Sequence, residues 1–462
     1  MTQEEAEALL AENARLRAEV GVLQEEVARL KEQLQAALER IKALEEGKSD
    51  PPSFVKPNRP TASEREGPRK KRAGEHNRSR KRSAPTRIER HVLERCPDCR
   101  YLLRGESIDY TREVIELPAP PPVEVIEHQV IKRWCPHCSK WCQPKLDLTG
   151  QVLGQGRIGV GVASLVSYLR TTLRLPIRAI QSYLATVHNL QLSVGELVGL
   201  THEVREELQP QADELKAAMQ TSTVTHGDET GWRENGKNGY AWVFVTAGPE
   251  AVRYFEYDRS RSHVVAERIL GPDWRGCLVT DFYAAYNLIP GRHQRCWSHL
   301  LRDLHEFKQE QTGNAEAVAW ATAVSKLYEQ AQTWLREQAT LTPTQRQRQY
   351  TALVTQACRL GEQYAQVKEH PCATLAKRLL RHQEELFQFV LIEGLPADNN
   401  LAERSIRPLV IMRKISGGTR SAKGTQTRLT LASLFHTWAA RNLNPFLECH
   451  AVLQRPTAAS PP

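Results

Sequence analysis

Three acidic residues, far apart in the sequence, stand where carboxylates could hold a catalytic metal. Asp228 lies in the strand-like segment "TSTVTHGDETGW", and Asp281 follows the apolar run "GCLVT". Glu403 lies in "LPADNNLAERSIRPLVIMRKISGGTRS", among Asn and Arg side chains. Neighbouring carboxylates that stay ionised imply a cation between them, and oxygen ligands favour Mg²⁺ or Mn²⁺. A third acidic residue would complete a two-metal site for in-line phosphoryl transfer.

The segments around the two Asp residues predict a mixed sheet. After the first strand come the hairpin turn "NGKNG" and two further strands, "YAWVFVTAG" and "AVRYFEYD". A helix, "SRSHVVAERIL", leads to a fourth strand in "GCLVTDFYAAY". This β-β-β-α-β order, with an Asp on the first strand and another at the end of the fourth, is the ribonuclease-H-like arrangement. Strands one and four are neighbours in it, so Asp228 and Asp281 should lie together, and Glu403 lies on a later helix.

Basic residues follow Glu403, as expected beside a polyanion. We predict that Arg404, Arg407, Arg413 and Lys414 contact phosphate. Arg407 lies one helical turn from Glu403 and could pair with it instead.

Nearby residues have ordinary structural interpretations. Glu229 should point to the opposite face of its strand from Asp228, which argues against a ligand role. Asp398 is the expected cap of the helix that follows it. Trp297 is expected in the core. The Cys296-x-x-His299 pair could mimic half of a zinc site but has no second pair near it in the sequence, so we interpret it as helix packing near the active site, with a metal role as the alternative.

Two Cys-x-x-Cys pairs, in "CPDC" and "WCPHC", predict a structural zinc site in a module that resembles a zinc ribbon. The predicted ligands are Cys96, Cys99, Cys135 and Cys138. Cys142 or His137 could replace one of them, and a redox dithiol is the alternative. The stretches "YTREVIEL" and "PVEVIEHQVIKRW" between the pairs predict strands.

The next region, residues 156–217, is predicted to be helical with a helix-turn-helix pattern, in which a Ser193–Glu196 capping box starts the second helix. They could read bases in the major groove or form a structural hairpin.

The positive charge is concentrated in one segment. Residues 51–95 hold 14 Lys or Arg and 5 Glu, which accounts for the whole net charge of +9. The segment has few apolar residues and cannot fold alone, so we predict a flexible arm on DNA phosphates rather than a solvated linker. Its densest basic residues are Arg69, Lys70, Lys71, Arg72, Arg80, Lys81 and Arg82.

A heptad repeat precedes the arm. Its d positions are Leu9, Leu16, Leu23, Leu30, Ala37 and Leu44, and its a positions are Asn13, Val20, Val27, Leu34 and Ile41. Leu at d with β-branched residues at a favours a parallel two-stranded coil, and an Asn at a fixes its register. We therefore predict a homodimer, or a higher oligomer, through residues 1–50. A single amphipathic helix packed on its own chain is the alternative.

The composition of this 462-residue chain indicates two or three domains with real cores. No run of 18 apolar residues occurs, so no membrane partner is expected. The acidic start "MTQEEAEALL" lacks the features of a signal peptide, which predicts a cytoplasmic protein whose ten Cys are thiols or metal ligands.

The motifs "HGDETGW", "VTDFYAAYN", "QRCWSHLLRDL", "NNLAERSIRPLVIMRKISGGTRSAKG" and "LNPFLECHAVL" resemble the transposases of the insertion sequence 66 family. The coiled coil, Cys pairs and helical segment match that family's order. The resemblance implies a bacterial DDE transposase that acts at the nucleoid, cuts at transposon ends and joins the 3′ ends to target DNA. It implies the triad Asp228, Asp281 and Glu403, and small accessory proteins as further partners. A zinc-containing DNA-binding protein with an inactive catalytic fold, or a ribonuclease-H-like nuclease, are the alternatives.

We therefore expect a multidomain α/β protein. The expected segments are a coiled coil (1–50), a basic arm (51–95), a zinc module (96–148), a helical region (156–217), the catalytic core in two parts (218–305 and 395–453), a helical insertion between them (306–394) and a tail (454–462).

Overall fold

The computed structural model describes residues 84–120, 122–338 and 340–455, together with helical residues between Arg17 and Leu38. The predictions for the basic residues 69–82 and for the tail beyond residue 455 lie outside the described residues. The chain divides into two compact units, Met1–Leu117 and Pro118–Pro462. No helix in the described part of the chain is both long and apolar enough to cross a membrane.

In the first unit, the described residues between Arg17 and Leu38 are helical, and their apolar side chains are uncovered. Val20, Leu23, Val27, Leu30 and Leu34 are 49–62% exposed. These are the a and d positions of the heptad repeat, so an apolar stripe along the helix is available to a partner. The coiled coil itself stays a prediction.

Among the described residues, the strands predicted between the two Cys pairs are absent except for Arg133 and Trp134, at the end of the second stretch. Residues 107–120 and 122–132 form no ladder, and their apolar side chains stand in solvent, with Leu117 87% and Val125 88% exposed. A strand is stabilised by its cross-strand neighbours, and the described residues provide none here. The only ladder of this region, in the second unit, is a short hairpin of β1 (Arg133–Cys135) and β2 (Lys140–Cys142), which pairs Trp134 with Trp141.

Between the short hairpin and the main sheet, the described chain forms α1 (Val160–Thr171), α2 (Ile177–His188), α3 (Val194–Glu207) and α4 (Gln209–Gln220). The predicted capping box at the start of α3 is confirmed. Ser193 Oγ accepts from the Glu196 backbone N–H at 3.1 Å, and the Glu196 carboxylate accepts from the Ser193 N–H at 2.8 Å.

The main sheet has five strands in the order β5-β4-β3-β6-β7. The strands are β3 (Val224–Glu234), β4 (Lys237–Val245), β5 (Arg253–Asp258), β6 (Cys277–Thr280) and β7 (Arg292–Arg295). The first three are antiparallel, and β6 and β7 run parallel to β3. Asn235 and Gly236 join β3 to β4 with φ of 48° and 76°, the left-handed pair that a two-residue hairpin requires. β7 was not predicted.

Helices cover both faces of this sheet. Helix α5 (His263–Leu270) leads into β6. The chain between β7 and residue 394 forms α6 (Trp297–Glu310), α7 (Ala315–Glu337), α8 (Pro343–Tyr364), α9 (Ala373–His382) and α10 (Gln388–Leu391). It ends with α11 (Asn400–Ser416), α12 (Ala422–Ala440) and α13 (Pro445–Gln454).

Alternation along β4 separates two cores. Val243 and Val245 pack with Ile406 and Met412 of α11, whereas Trp242 and Phe244 pack with the core that includes α1–α5. A third core joins β6 to helices α6–α10. Trp297 belongs to it and is fully buried, as expected.

Candidate active site and metal-binding residues

Asp228 and Asp281 lie at equivalent heights on adjacent parallel strands. The β3–β6 ladder pairs Val224 with Cys277 and His226 with Val279. The same register, continued by two residues, places Asp228 opposite Asp281, just beyond the last residue of β6. Neighbouring strands are about 4.8 Å apart, so the two backbones bring their carboxylates to one edge of the sheet. The predicted adjacency of these two strands is confirmed.

The surroundings of Asp228 disfavour its ionised form unless a cation offsets the neighbouring negative charges. Burial and the charge of Glu229, followed by the charges of Asp281 and Glu403, raise the pKa of Asp228 to about 8, against the lowering effect of the Glu229 backbone N–H. Asp281 and Glu403 are therefore both close enough to Asp228 to act on its carboxylate. Carboxylates at such a site ionise together when a divalent cation offsets their charge, so the donor set fits the metal chemistry predicted from the sequence.

Glu403 lies in the first turn of α11, and contacts along this helix attach it to β3. Arg413, near its end, donates to the carbonyl oxygen of Gly231 and to Thr230 Oγ1. Beyond the helix, the Thr419 N–H donates to the carbonyl of Arg233 at 2.9 Å. Helix α11 therefore runs beside the strand that carries Asp228.

The start of α11 is attached through the buried amide of Asn399, which is 2% exposed. Its Nδ2 donates to the Gly227 carbonyl at 2.8 Å, and its Oδ1 lies 3.3 Å from His226 Nδ1. Its backbone N–H donates to Cys296 Sγ at 3.2 Å, and its carbonyl accepts from the Glu403 N–H at 3.2 Å. One side chain thus connects the residue before Asp228 to the turn that carries Glu403.

Sequence reasoning missed Asn399 and His226. Burial lowers the pKa of His226 to about 4, against the raising effect of its bond to Asn399, so the ring is neutral. With Nδ1 donating to the Asn399 carbonyl oxygen, Nε2 is a buried acceptor with no hydrogen-bond partner. The available signal is the "DNN" before the helix, since consecutive Asn residues at the start of a helix can hydrogen-bond neighbouring backbone groups.

Glu229 lies on the other face of the sheet, as predicted. Its side chain is 2% exposed, is paired with Arg261 at 2.6 Å, and accepts from the Tyr286 hydroxyl. Glu229 is therefore held away from the three predicted ligands. The N-cap of α11 is Asn399 rather than the expected Asp398, and it makes no side-chain capping bond. Asp398 Oδ1 instead accepts from the Asn400 N–H at 3.0 Å.

Residues 155–427, more than half of the chain, match the "Transposase IS66 family", the family of the resemblance. The chain belongs to this family. The match contains Asp228, Asp281 and Glu403. Residues 94–139 match the "zinc-finger binding domain of transposase IS66" and contain both Cys-x-x-Cys pairs. Zinc binding is therefore a property of the matched domain.

Two curated relatives of this IS66-family chain come from Sinorhizobium fredii. "Uncharacterized protein y4qI" is 26% identical over 265 residues, which are 52% of this chain and 49% of the relative. "Uncharacterized protein y4jD" is 27% identical over 224 residues, 46% of this chain and 43% of the relative. The chain thus spans about half the length of the curated relatives it matches.

Both Cys pairs of the IS66-family chain have the local geometry of a metal knuckle. Backbone hydrogen bonds from Cys99 and Asp98 lower the pKa of Cys96, and the bond from Cys138 lowers that of Cys135. The residue after each second Cys is left-handed, with φ of 58° at Arg100 and 47° at Ser139. Each turn directs N–H groups at a sulfur and so favours the thiolate that zinc requires.

The basic residues after Glu403 differ in their surroundings. Arg404, Arg407 and Lys414 are exposed, whereas Arg413 is used within the protein as described above. No ion pair joins Arg407 to Glu403 among the described residues; His299 Nδ1 lies 3.7 Å from Glu403 Oε1.

Proposed function

We propose that this chain is a DNA transposase that cleaves at transposon ends and joins the 3′ ends to target DNA, with Asp228, Asp281 and Glu403 as ligands of Mg²⁺ or Mn²⁺. The electrostatic convergence of these three carboxylates carries the proposal. The sheet order, with three antiparallel strands followed by two parallel ones, supports a ribonuclease-H-like core. Family membership supports the reaction class.

The residues have separate tasks in this proposal. Asp228 and Asp281 form the fixed edge of the site because they lie on neighbouring strands, and Glu403 is brought to it by α11 through Asn399. A divalent cation held there would supply activation of the attacking water or 3′-hydroxyl and stabilisation of the leaving oxygen. No covalent protein intermediate is needed.

The remaining parts are proposed to hold the DNA and pair the chains. Exposed Arg404, Arg407 and Lys414 would contact phosphates beside the site. The basic arm would add contacts that do not depend on sequence. The family's zinc-finger domain, with the four Cys as ligands, would be held together by structural zinc. The exposed stripe of residues 20–34 would form the dimer.

The test is strand cleavage and strand transfer by the full chain in Mg²⁺. Asp228→Asn, Asp281→Asn and Glu403→Gln should each abolish both reactions while DNA binding is kept, because removal of a metal ligand removes activation at both oxygens. Asp398→Asn is the matched control, since its side-chain oxygen can still accept from the Asn400 N–H. Cleavage by Glu403→Gln at the wild-type rate would refute the role of Glu403. Cleavage without strand transfer in the wild type would indicate a nuclease.

A further inference from the structure

A thiol, an imidazole and a carboxylate meet where α6 begins and α11 begins. Cys296 Sγ, a ring nitrogen of His299 and a carboxylate oxygen of Glu403 all lie within 4.8 Å of one another. Glu403 thus supplies a third potential ligand beside the Cys296 and His299 pair, which favours the metal role that the sequence left as the alternative to helix packing. In tetrahedral zinc sites the ligand atoms are about 3.5 Å apart, so a movement of about 1 Å would close this group around an ion.

Two of the three donor atoms have no hydrogen bond. His299 Nδ1 and Glu403 Oε1 are both buried at the atom level and both unpartnered. They are 3.7 Å apart, which is too far for a hydrogen bond, while their side chains are 29% and 33% exposed. A buried polar atom without a partner is unfavourable, and a cation between these two atoms would satisfy both.

The third donor is placed as a metal thiolate would be. Cys296 is fully buried and accepts the Asn399 N–H, the kind of contact that orients and stabilises a ligand sulfur. A bound zinc-type cation would replace the thiol proton, because the thiolate is the form that binds metal.

We propose that Cys296, His299 and Glu403 form a second metal site, which binds a zinc-type divalent cation and is separate from the family's zinc-finger domain. Thiolate and imidazole ligands select this class of ion, whereas the oxygen-only pair Asp228 and Asp281 selects Mg²⁺. The sites share Glu403, so zinc bound here withdraws a ligand from the Mg²⁺ set and inhibits cleavage. Only this inhibition rests on the proposed function.

The binding test uses Co²⁺ as the probe, titrated into the purified full chain with its zinc-finger metal in place. One further equivalent should bind and give a thiolate charge-transfer band and the visible bands of tetrahedral cobalt. Cys296→Ser should remove the charge-transfer band, and His299→Ala should weaken binding at least about tenfold. His305→Ala, on an exposed residue of the same helix, should match the wild type.

If both Cys296→Ser and His299→Ala bind Co²⁺ with the same spectrum and affinity as the wild type, the proposed metal site is refuted. His299 is partly exposed, so its variant decides the matter if the buried Cys296→Ser fails to fold. In a second arm, zinc should slow Mg²⁺-dependent cleavage by the wild type and His305→Ala, but not by His299→Ala. Equal inhibition of all three would overturn the sharing of Glu403. The cobalt readout needs no cleavage, so failure of the proposed function would leave the binding result intact.

Discussion

Asn399→Ala tests whether one buried amide fixes the third acidic residue relative to the first. The substitution removes the 2.8 Å bond to the Gly227 carbonyl and the 3.3 Å contact with His226 Nδ1. Both groups stay buried, and a buried polar group left without a partner costs about 1–3 kcal/mol. Since the bond to His226 is long, we expect a loss of about 2–4 kcal/mol in the free energy of unfolding.

The same change should reduce catalysis. The Glu403 N–H bonds to the carbonyl of residue 399, so release of Asn399 frees the turn that carries the carboxylate. A misplacement of about 1 Å can cost roughly 100-fold in rate. The assays are urea unfolding followed by tryptophan fluorescence, and Mg²⁺-dependent cleavage.

Asn400→Ala is the matched control, because it makes the same substitution one residue later and keeps the backbone bond to Asp398. It should change the free energy of unfolding by less than about 0.5 kcal/mol. If Asn399→Ala is as stable and as active as Asn400→Ala, the amide does not position Glu403, and the reasoning fails.

Three further predictions concern other parts of the chain. Burial would raise the pKa of Glu385, but its hydrogen bond from His382 and the charge of Arg295 outweigh this and lower the pKa to about 2 from 4.5. Ionised Glu385 therefore adds up to about 3 kcal/mol to the free energy of unfolding above pH about 4.5, and this contribution is lost as the pH falls towards 2. Between pH 6 and pH 3, the urea midpoint should therefore fall less in Glu385→Gln than in the wild type. Replacing both Leu23 and Leu30 with Lys should give monomers by light scattering, since like charges would meet in the seam; an unchanged dimer would place the contact elsewhere. Deleting residues 56–90 should flatten the plot of log affinity for DNA against log salt, and an unchanged slope would mean that the arm does not touch phosphate.

Local patterns predicted the first three strands of the sheet well. Alternating apolar residues and an Asn-Gly turn define β3 and β4 without help from the rest of the chain. The same kind of pattern failed in residues 110–117, because Val and Ile residues there have no partner strand to pair with. A strand is stabilised by pairing with a second segment, and a local sequence pattern does not show whether that second segment is present.

The opposite failure occurred at β7, whose sequence "RHQR" has no apolar residue. Gln294 and Arg295 are nevertheless fully buried, because residues about 90 positions later bond to them. Asn399 and His226 were missed for the same reason, since their contact spans 173 positions. Asp228, Asp281 and Glu403 could be predicted as candidate ligands because short motifs surround each carboxylate, but the polar contacts around these residues are non-local.

Because α11 packs beside β3, the proposed metal site can form only after both segments have been synthesised. Glu403 is made about 175 residues after Asp228, so at roughly 5–20 residues per second it follows about 9–35 s later. The bonds at Arg413 and Thr419 require a still longer chain. A nascent or prematurely ended chain would thus carry the proposed DNA-contacting N-terminal segments while the proposed metal site is still incomplete. Under the proposed function, the order of the segments along the gene would make DNA binding precede the capacity for cleavage.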